Sequence, residues 1–178
     1  MSIPPISQSW WRINAWLLDH EVVQELPPPA SRQEIALTEE FIGADFPAEL
    51  VESLLCHNGS DIFELPPMFR VLALEEIRLN WVSRTSSPSD HAPFLPHYLP
   101  FAADGMGSVL YLDAQERAGH RIHQRDKEGG SPGITAHPMW GSLSALLHFT
   151  AEALESGDPL GRYLRPTAES DYRDWRFA

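Results

Sequence analysis

The chain has 178 residues, 43% of them apolar and 21% charged, with 13 basic residues against 25 acidic ones and a net charge of −12. A single cysteine, Cys56, excludes an internal disulfide framework and any multi-cysteine zinc site. No apolar run approaches the roughly 20 residues that span a bilayer, and an acidic protein repels phosphate backbones, so neither a membrane nor a nucleic acid is an expected partner.

The length predicts one domain. The opening residues lack the basic start and apolar centre of a signal peptide, which predicts a soluble, cytoplasmic protein. Proline, at 16 of 178, is near twice its usual share and predicts fixed loops and short elements.

Trp10, Ile13 and Leu17 repeat at helical spacing and predict a first helix over 9–20. The adjacent Trp10 and Trp11 are expected in the core, the alternative being an exposed adhesive patch. Residues 26–30, LPPPA, are an extended linker. Ser31 and Glu34, three apart before an apolar residue, form a capping box that starts a second helix. Ile35, Thr38, Phe41 and Ile42 are its expected inner stripe, and Gly43 its stop. Phe46-Pro47 opens a third helix whose buried stripe is Leu50, Val51, Leu54 and Leu55. His57-Asn58-Gly59 ends it, with the histidine suited to the last carbonyls. Cys56 reads as a small buried side chain rather than a nucleophile.

Phe69–Leu72 is a short strand candidate, followed by a helix over 73–82 with Leu74, Ile77 and Trp81 inward. Residues 83–100 are rich in Ser, Pro and His and read as a loop. Ser108–Asp113 is the clearest strand, apolar on both faces and so central in a sheet. It is expected to pair as an antiparallel hairpin with a strand over His120–Gln124. Residues 125–138 read as loop. A last helix runs from Ser142 to Ser156 on Leu143, Leu146, Leu147, Thr150 and Leu154, with Gly157 as its stop. Tyr172, Trp175 and Phe177 suggest a tail that packs. Helices, then strands, then a closing helix predict an α+β fold. The expected architecture is a single domain with a mixed or antiparallel central sheet flanked by helices. Its core spans 31–157, and the first helix and the tail 158–178 pack on it as extensions.

The charge is uneven. Residues 1–80 carry 13 acids and 4 bases, net −9, and no Lys or Arg lies between Gln33 and Phe69. That block reads either as solvated helix faces or as a docking surface for a cationic partner.

Catalytic and metal constellations are weak. His120 and His123, three apart on a strand, fall on opposite faces, and His91, His97 and His137 lie in proline-flanked loops. No pair of histidines stands at i, i+4 with a nearby glutamate, as a zinc hydrolase needs. Asp104-Gly105-Met106-Gly107 precedes a strand rather than a helix, so it reads as a tight turn with Asp104 as an Asx-turn former, not as a phosphate loop. Asp104 and Asp113 stand at opposite ends of one strand, too far apart to share a proton. No Gly-x-Ser-x-Gly elbow is present. No catalytic, metal or cofactor-binding residue is assigned and no cofactor is expected.

The run from Glu34 to Gly59 resembles the N-terminal signature of the SUKH superfamily, which includes the Smi–Knr group of fungal cell-wall regulators and many bacterial proteins. The matching places are Ile35, Glu39, Ile42, Gly43, Phe46-Pro47 and His57-Asn58-Gly59, with a second signature at Pro100, Phe101, Ala102, Asp104, Gly105, Gly107 and Asp113. Phe46 stands where leucine is usual and Thr38 where an apolar residue is; both touch packing. The likeness covers about residues 9–157. It implies binding rather than catalysis: an immunity-type protein that neutralises a cognate toxin, often a nuclease, or a regulatory scaffold. With the acidic block it nominates Glu39, Glu40, Glu49, Glu52, Asp61 and Glu64 as contacts for a toxin or another basic protein. Glu39, a glutamate place of the motif, has a structural role as its alternative.

Overall fold

The computed structural model describes residues 3–20, 26–86, 93–116, 119–126, 138–167 and 175–177. Five helices, α1 (Ile6–Asp19), α2 (Arg32–Ile42), α3 (Ala48–Cys56), α4 (Leu74–Thr85) and α5 (Leu143–Ser156), surround one principal sheet. Its strands are β1 (Glu64–Leu65), β2 (Phe69–Val71), β3 (Tyr98–Ala103), β4 (Val109–Asp113) and β5 (His123–Arg125). They lie in the order β1-β2-β3-β4-β5, and every neighbouring pair is antiparallel. The short strands β6 (Tyr163–Leu164) and β7 (Arg176–Phe177) pair separately. The α+β expectation holds, and of its two sheet types the antiparallel one is found.

Local chemistry explains most boundaries. Ser31 Oγ accepts the Glu34 amide while the Glu34 carboxylate accepts the Ser31 amide, the reciprocal capping box read in the sequence. Gly43 and Gly157 take the left-handed conformation that stops α2 and α5. The first helix begins at Ile6, three residues earlier than expected, because the amide of Ser7 has an acceptor elsewhere in the chain, Glu52 Oε1 at 3.1 Å. Trp10, Ile13, Trp16 and Leu17 are buried, and the Trp10 indole N–H donates to Ser53 Oγ of α3 at 2.9 Å. Trp11 is 70% exposed. The tandem tryptophans thus divide between core and solvent.

The region expected as loop over 83–100 is partly structured: α4 continues to Thr85, and β3 starts at Tyr98. Pro100 argues against a central strand because it has no N–H to donate. The register slips between Pro100 and Ala102, and this bulge accommodates the proline. Leu110 and Leu112 of β4 join the main core, while Val109 and Tyr111 form a second buried cluster with Phe94 on the opposite face. The strand is apolar on both faces, as expected of its position between β3 and β5. The hairpin partner is shorter than His120–Gln124, beginning at His123. His120 lies before it, with Nδ1 2.9 Å from the Asp113 carbonyl.

In the tail, Trp175 is buried and its indole N–H donates to the Glu64 carbonyl at 2.8 Å. Tyr172, His91 and His137 lie outside the described residues. No described helix is long and apolar enough to cross a membrane.

Candidate functional site

The acidic block folds into α2, α3 and the turn that follows, and its carboxylates divide into two groups. Four are committed to backbone amides, Glu34 to that of Ser31 in the capping box and three others across longer spans. Glu39 Oε1 accepts the Phe46 amide at 2.7 Å, closing the loop between α2 and α3. Glu49 accepts the amides of Leu143 and Ser144 at 3.0 and 3.3 Å and the Ser144 hydroxyl at 2.9 Å, all at the start of α5. Glu52 accepts the Ser7 amide at the start of α1. A helix start presents unpaired N–H groups and a positive dipole end, so a carboxylate there is stabilising. Glu49 and Glu52, three apart on α3, therefore each terminate a different helix. The sequence signal for a docking glutamate and for a capping glutamate supplied across the fold is the same: an acid off the buried stripe.

The second group faces outward. Glu40 and Asp45 are exposed, and neither makes a hydrogen bond or ion pair among the described residues. With Glu39 and His97 they line a cleft of about 610 Å³ between α2 and the turn after β4, where Gln115 forms part of the far wall. His97 Nε2 lies 3.7 Å from the Asp113 carboxylate. Asp61 is exposed, at φ +50°, and its carbonyl accepts from Arg70 at 3.0 Å. Glu64 is half-buried in β1. These two lie on the segment after α3 and do not line the cleft.

The other flank of α2 carries a feature the sequence reading missed. Phe41, expected in the inner stripe, is 46% exposed, and Leu37 is 57% exposed. Together with Leu79 and Val82 of α4 they line a groove of about 470 Å³ between the two helices. The Arg78 guanidinium lies over the Phe41 ring, 4.3 Å from its centre. The available signal was Leu79, an apolar residue outside the Leu74, Ile77, Trp81 stripe.

The remaining candidate chemistry has structural explanations. Asp104 Oδ1 accepts the amides of Met106 and Ser108 at 2.8 and 2.9 Å, the Asx turn expected of it. Cys56 is half-buried; burial, helped by the nearby Glu52 charge, pushes its thiol pKa up, away from the thiolate a nucleophile needs. His57 Nδ1 lies 2.8 Å from the Pro27 carbonyl, so this ring ties α3 to the proline linker rather than to its own last carbonyls. Among the described residues no group of three or more His, Cys, Asp and Glu side chains could hold a metal ion.

The model of the SMI1 / KNR4 family (SUKH-1) matches residues 29–147. The chain belongs to the SMI1 / KNR4 family. No curated protein matches it. The family match runs from the end of the proline linker into the first turns of α5, so it includes both flanks of α2 and the whole principal sheet, and excludes α1. His57-Asn58-Gly59, which lies within the matched range and carried part of the resemblance in the sequence, has a clear physical basis. Asn58 Oδ1 accepts the Leu74 amide at 2.9 Å, at the start of α4, and Gly59 at φ +89° passes within contact distance of the β2–α4 backbone.

Proposed function

We propose that the chain is a non-enzymatic binding domain, an immunity-type protein that occludes a cognate cationic toxin, with a nuclease as the toxin class its charge suits best. Membership of the SMI1 / KNR4 family supports a SUKH-type binding role. The observation that carries the charge argument is the cleft beside α2, where Glu40 and Asp45 are exposed and make no hydrogen bond or ion pair among the described residues. A nuclease binds phosphate through basic groups, and an acidic surface meets such a site with complementary charge. The contact set is narrower than the acidic block. Glu40 is its leading member, Asp45 joins it, and Asp61 and Glu64 form a separate acidic edge. Glu39, Glu49 and Glu52 contribute field, with their positions fixed by the amides they hold.

The direct experiment measures binding to the protein encoded beside this chain. Capture with association that slows as salt rises supports the reading. A neighbour that neither binds nor is toxic when expressed alone overturns it.

A second reading, a regulatory scaffold, is favoured by one observation. Trp11 and Leu18, seven apart on α1, are 70% and 63% exposed on a helix outside the family match. Exposed aromatics of this kind mark contact surfaces. Retention of partner binding by a Trp11→Ser, Leu18→Ser variant separates the two readings: the toxin-binding reading expects it, the scaffold reading expects loss.

A further inference from the structure

The groove between α2 and α4 presents large apolar side chains to solvent from both walls. Leu37 and Phe41 stand four apart on one, and Leu79 and Val82 three apart on the other. Single exposed apolar residues are ordinary; several gathered in one concavity mark an interaction site. The polar groups lining the groove are nearly all engaged within the fold. Glu34 is held by Ser31, the Thr38 hydroxyl donates to the Glu34 carbonyl at 2.9 Å, and Asn58 accepts the Leu74 amide. Arg78 is stacked on Phe41. Small-molecule sites orient their ligand with a few convergent polar groups; here those groups already have partners. Glu75 is the exception, an exposed carboxylate without a hydrogen bond or ion pair among the described residues.

An apolar floor with spacings of three and four suits an amphipathic helix laid into the groove, and Glu75 with Glu34 makes the rim net acidic despite Arg78. We propose that this groove seats an amphipathic helix of a basic partner protein, its apolar row on Leu37, Phe41, Leu79 and Val82 and a lysine or arginine beside Glu75. The proposal rests on the cationic-partner reading above and adds where the apolar contact is made. At about 100° per residue, positions 36, 39 and 40 of α2 face the cleft, and 34, 37, 38 and 41 face the groove. One partner straddling α2 thus meets charge on one flank and apolar surface on the other. Steering and residence time are then set by different residues.

The test uses the full chain, isotope-labelled, and a synthetic helix-forming peptide with leucines at spacings of three and four and lysines along its flanks. A matched peptide carries glutamate in place of lysine. The expected result is amide shift changes concentrated in α2 and α4, affinity at least fivefold higher for the lysine peptide, and about tenfold weakening by Leu79→Ser. Because Leu79 is exposed, that variant is expected to fold normally, and its spectrum checks this. Glu75→Lys is expected to reduce the preference for the lysine peptide. Equal binding of both peptides overturns the proposal, as do shift changes away from the groove or a chain that dimerises through it. If Glu40→Lys weakens the lysine peptide while Leu79→Ser does not, the groove proposal falls and the electrostatic reading stands. If salt, Glu40→Lys and Leu79→Ser all leave binding unchanged, both fall.

Discussion

The Glu49 carboxylate of α3 accepts the Leu143 amide at 3.0 Å, 94 residues away at the first turn of α5. Ser142 caps the same turn locally, its hydroxyl accepting the Ala145 amide at 3.0 Å, so α5 is capped twice, once from its own sequence and once across the fold. Charge-assisted hydrogen bonds of this kind outweigh neutral ones. Glu49→Ala is expected to destabilise the protein by about 1–2 kcal/mol, with Glu49→Gln recovering part of the loss. Glu40→Lys is expected to stay within about 0.5 kcal/mol. Urea denaturation of the three variants checks the ordering. Equal midpoints for Glu49→Ala and wild type would show that Ser142 alone suffices.

A second test concerns the buried contact between α1 and α3. The Trp10 indole donates to Ser53 Oγ at 2.9 Å, and both residues are almost completely buried. Ser53→Ala removes the acceptor and leaves the N–H dry, at a cost of about 1–3 kcal/mol. Trp10→Phe removes the donor as well as volume, so Trp10→Phe with Ser53→Ala is expected to cost less than the two single changes added together. A double-mutant cycle by chemical denaturation measures that coupling. Strict additivity would assign the Trp10 contribution to packing alone.

Gly59 and Gly43 separate two meanings of a signature glycine. Both have positive φ, +89° and +77°. A Cβ on Gly59 meets the Ala73 nitrogen at 2.8 Å and the Val71 oxygen at 3.1 Å, both backbone atoms that cannot swing away, whereas one on Gly43 meets nothing within 4 Å. Gly43→Ala is expected to cost about 1 kcal/mol for its left-handed backbone alone. Gly59→Ala is expected to cost at least twice that and to disturb the junction of β2 with α4. Thermal denaturation compares the two, and similar losses would show that the close approach relaxes freely.

How much was legible follows from the range of each interaction. The Ser31–Glu34 box, the stops at Gly43 and Gly157, the Asp104 turn and the β4–β5 hairpin are set by neighbours in the chain, and the sequence shows them. β3 was hidden because Pro100 contradicts a central strand until the bulge beside it is known. The capping roles of Glu49 and Glu52 are invisible in the sequence because their amide partners are 94 and 45 residues distant. Phe41 has the spacing of the core stripe, but the position of α4 leaves it lining a groove instead. Charge density marks α2 and α3 alike, and only the folded arrangement separates the exposed Glu40 and Asp45 from the acids that hold the structure together.

The Arg12–Glu155 pair gives a pH prediction. Arg12 donates to both Glu155 oxygens, at 2.9 and 2.5 Å, joining α1 to α5, and its Nη1 lies 3.3 Å from Nδ1 of the buried His148. The hydrogen bond from Arg12 lowers the Glu155 pKa below the ordinary glutamate value. A lowered carboxylate stabilises the fold at pH above the ordinary value, and that contribution is lost as pH falls through the folded-state value. Glu155 is 45% exposed, so solvent screening holds the effect to under about 1 kcal/mol. Glu155→Gln is expected to lower stability at pH 7 and to flatten its decline on the acid side of the ordinary glutamate range. Denaturation midpoints across pH 3–7 test this; parallel curves for variant and wild type would remove the pair as an acid-sensitive contact.

The last prediction separates field from fit at the acidic cleft. Glu40 and Asp45 are exposed, so their reversal changes the potential without disturbing the fold. Solvent-exposed charges act on a partner during its approach, over a screening length of about 10 Å at 0.1 M salt and 3 Å at 1 M. Their loss therefore falls mainly on the association rate. Glu40→Lys with Asp45→Lys is expected to slow capture of the cationic partner by about tenfold at low salt, to converge on wild type at high salt, and to change dissociation little. Asp61→Lys is expected to do less, because it lies away from the cleft. Stopped-flow association at several salt concentrations distinguishes these outcomes. If the double reversal leaves the association rate untouched at low salt, the cleft does not steer the partner and the acidic block acts elsewhere. If it accelerates dissociation instead, Glu40 and Asp45 are buried in the bound interface and make direct pairs there.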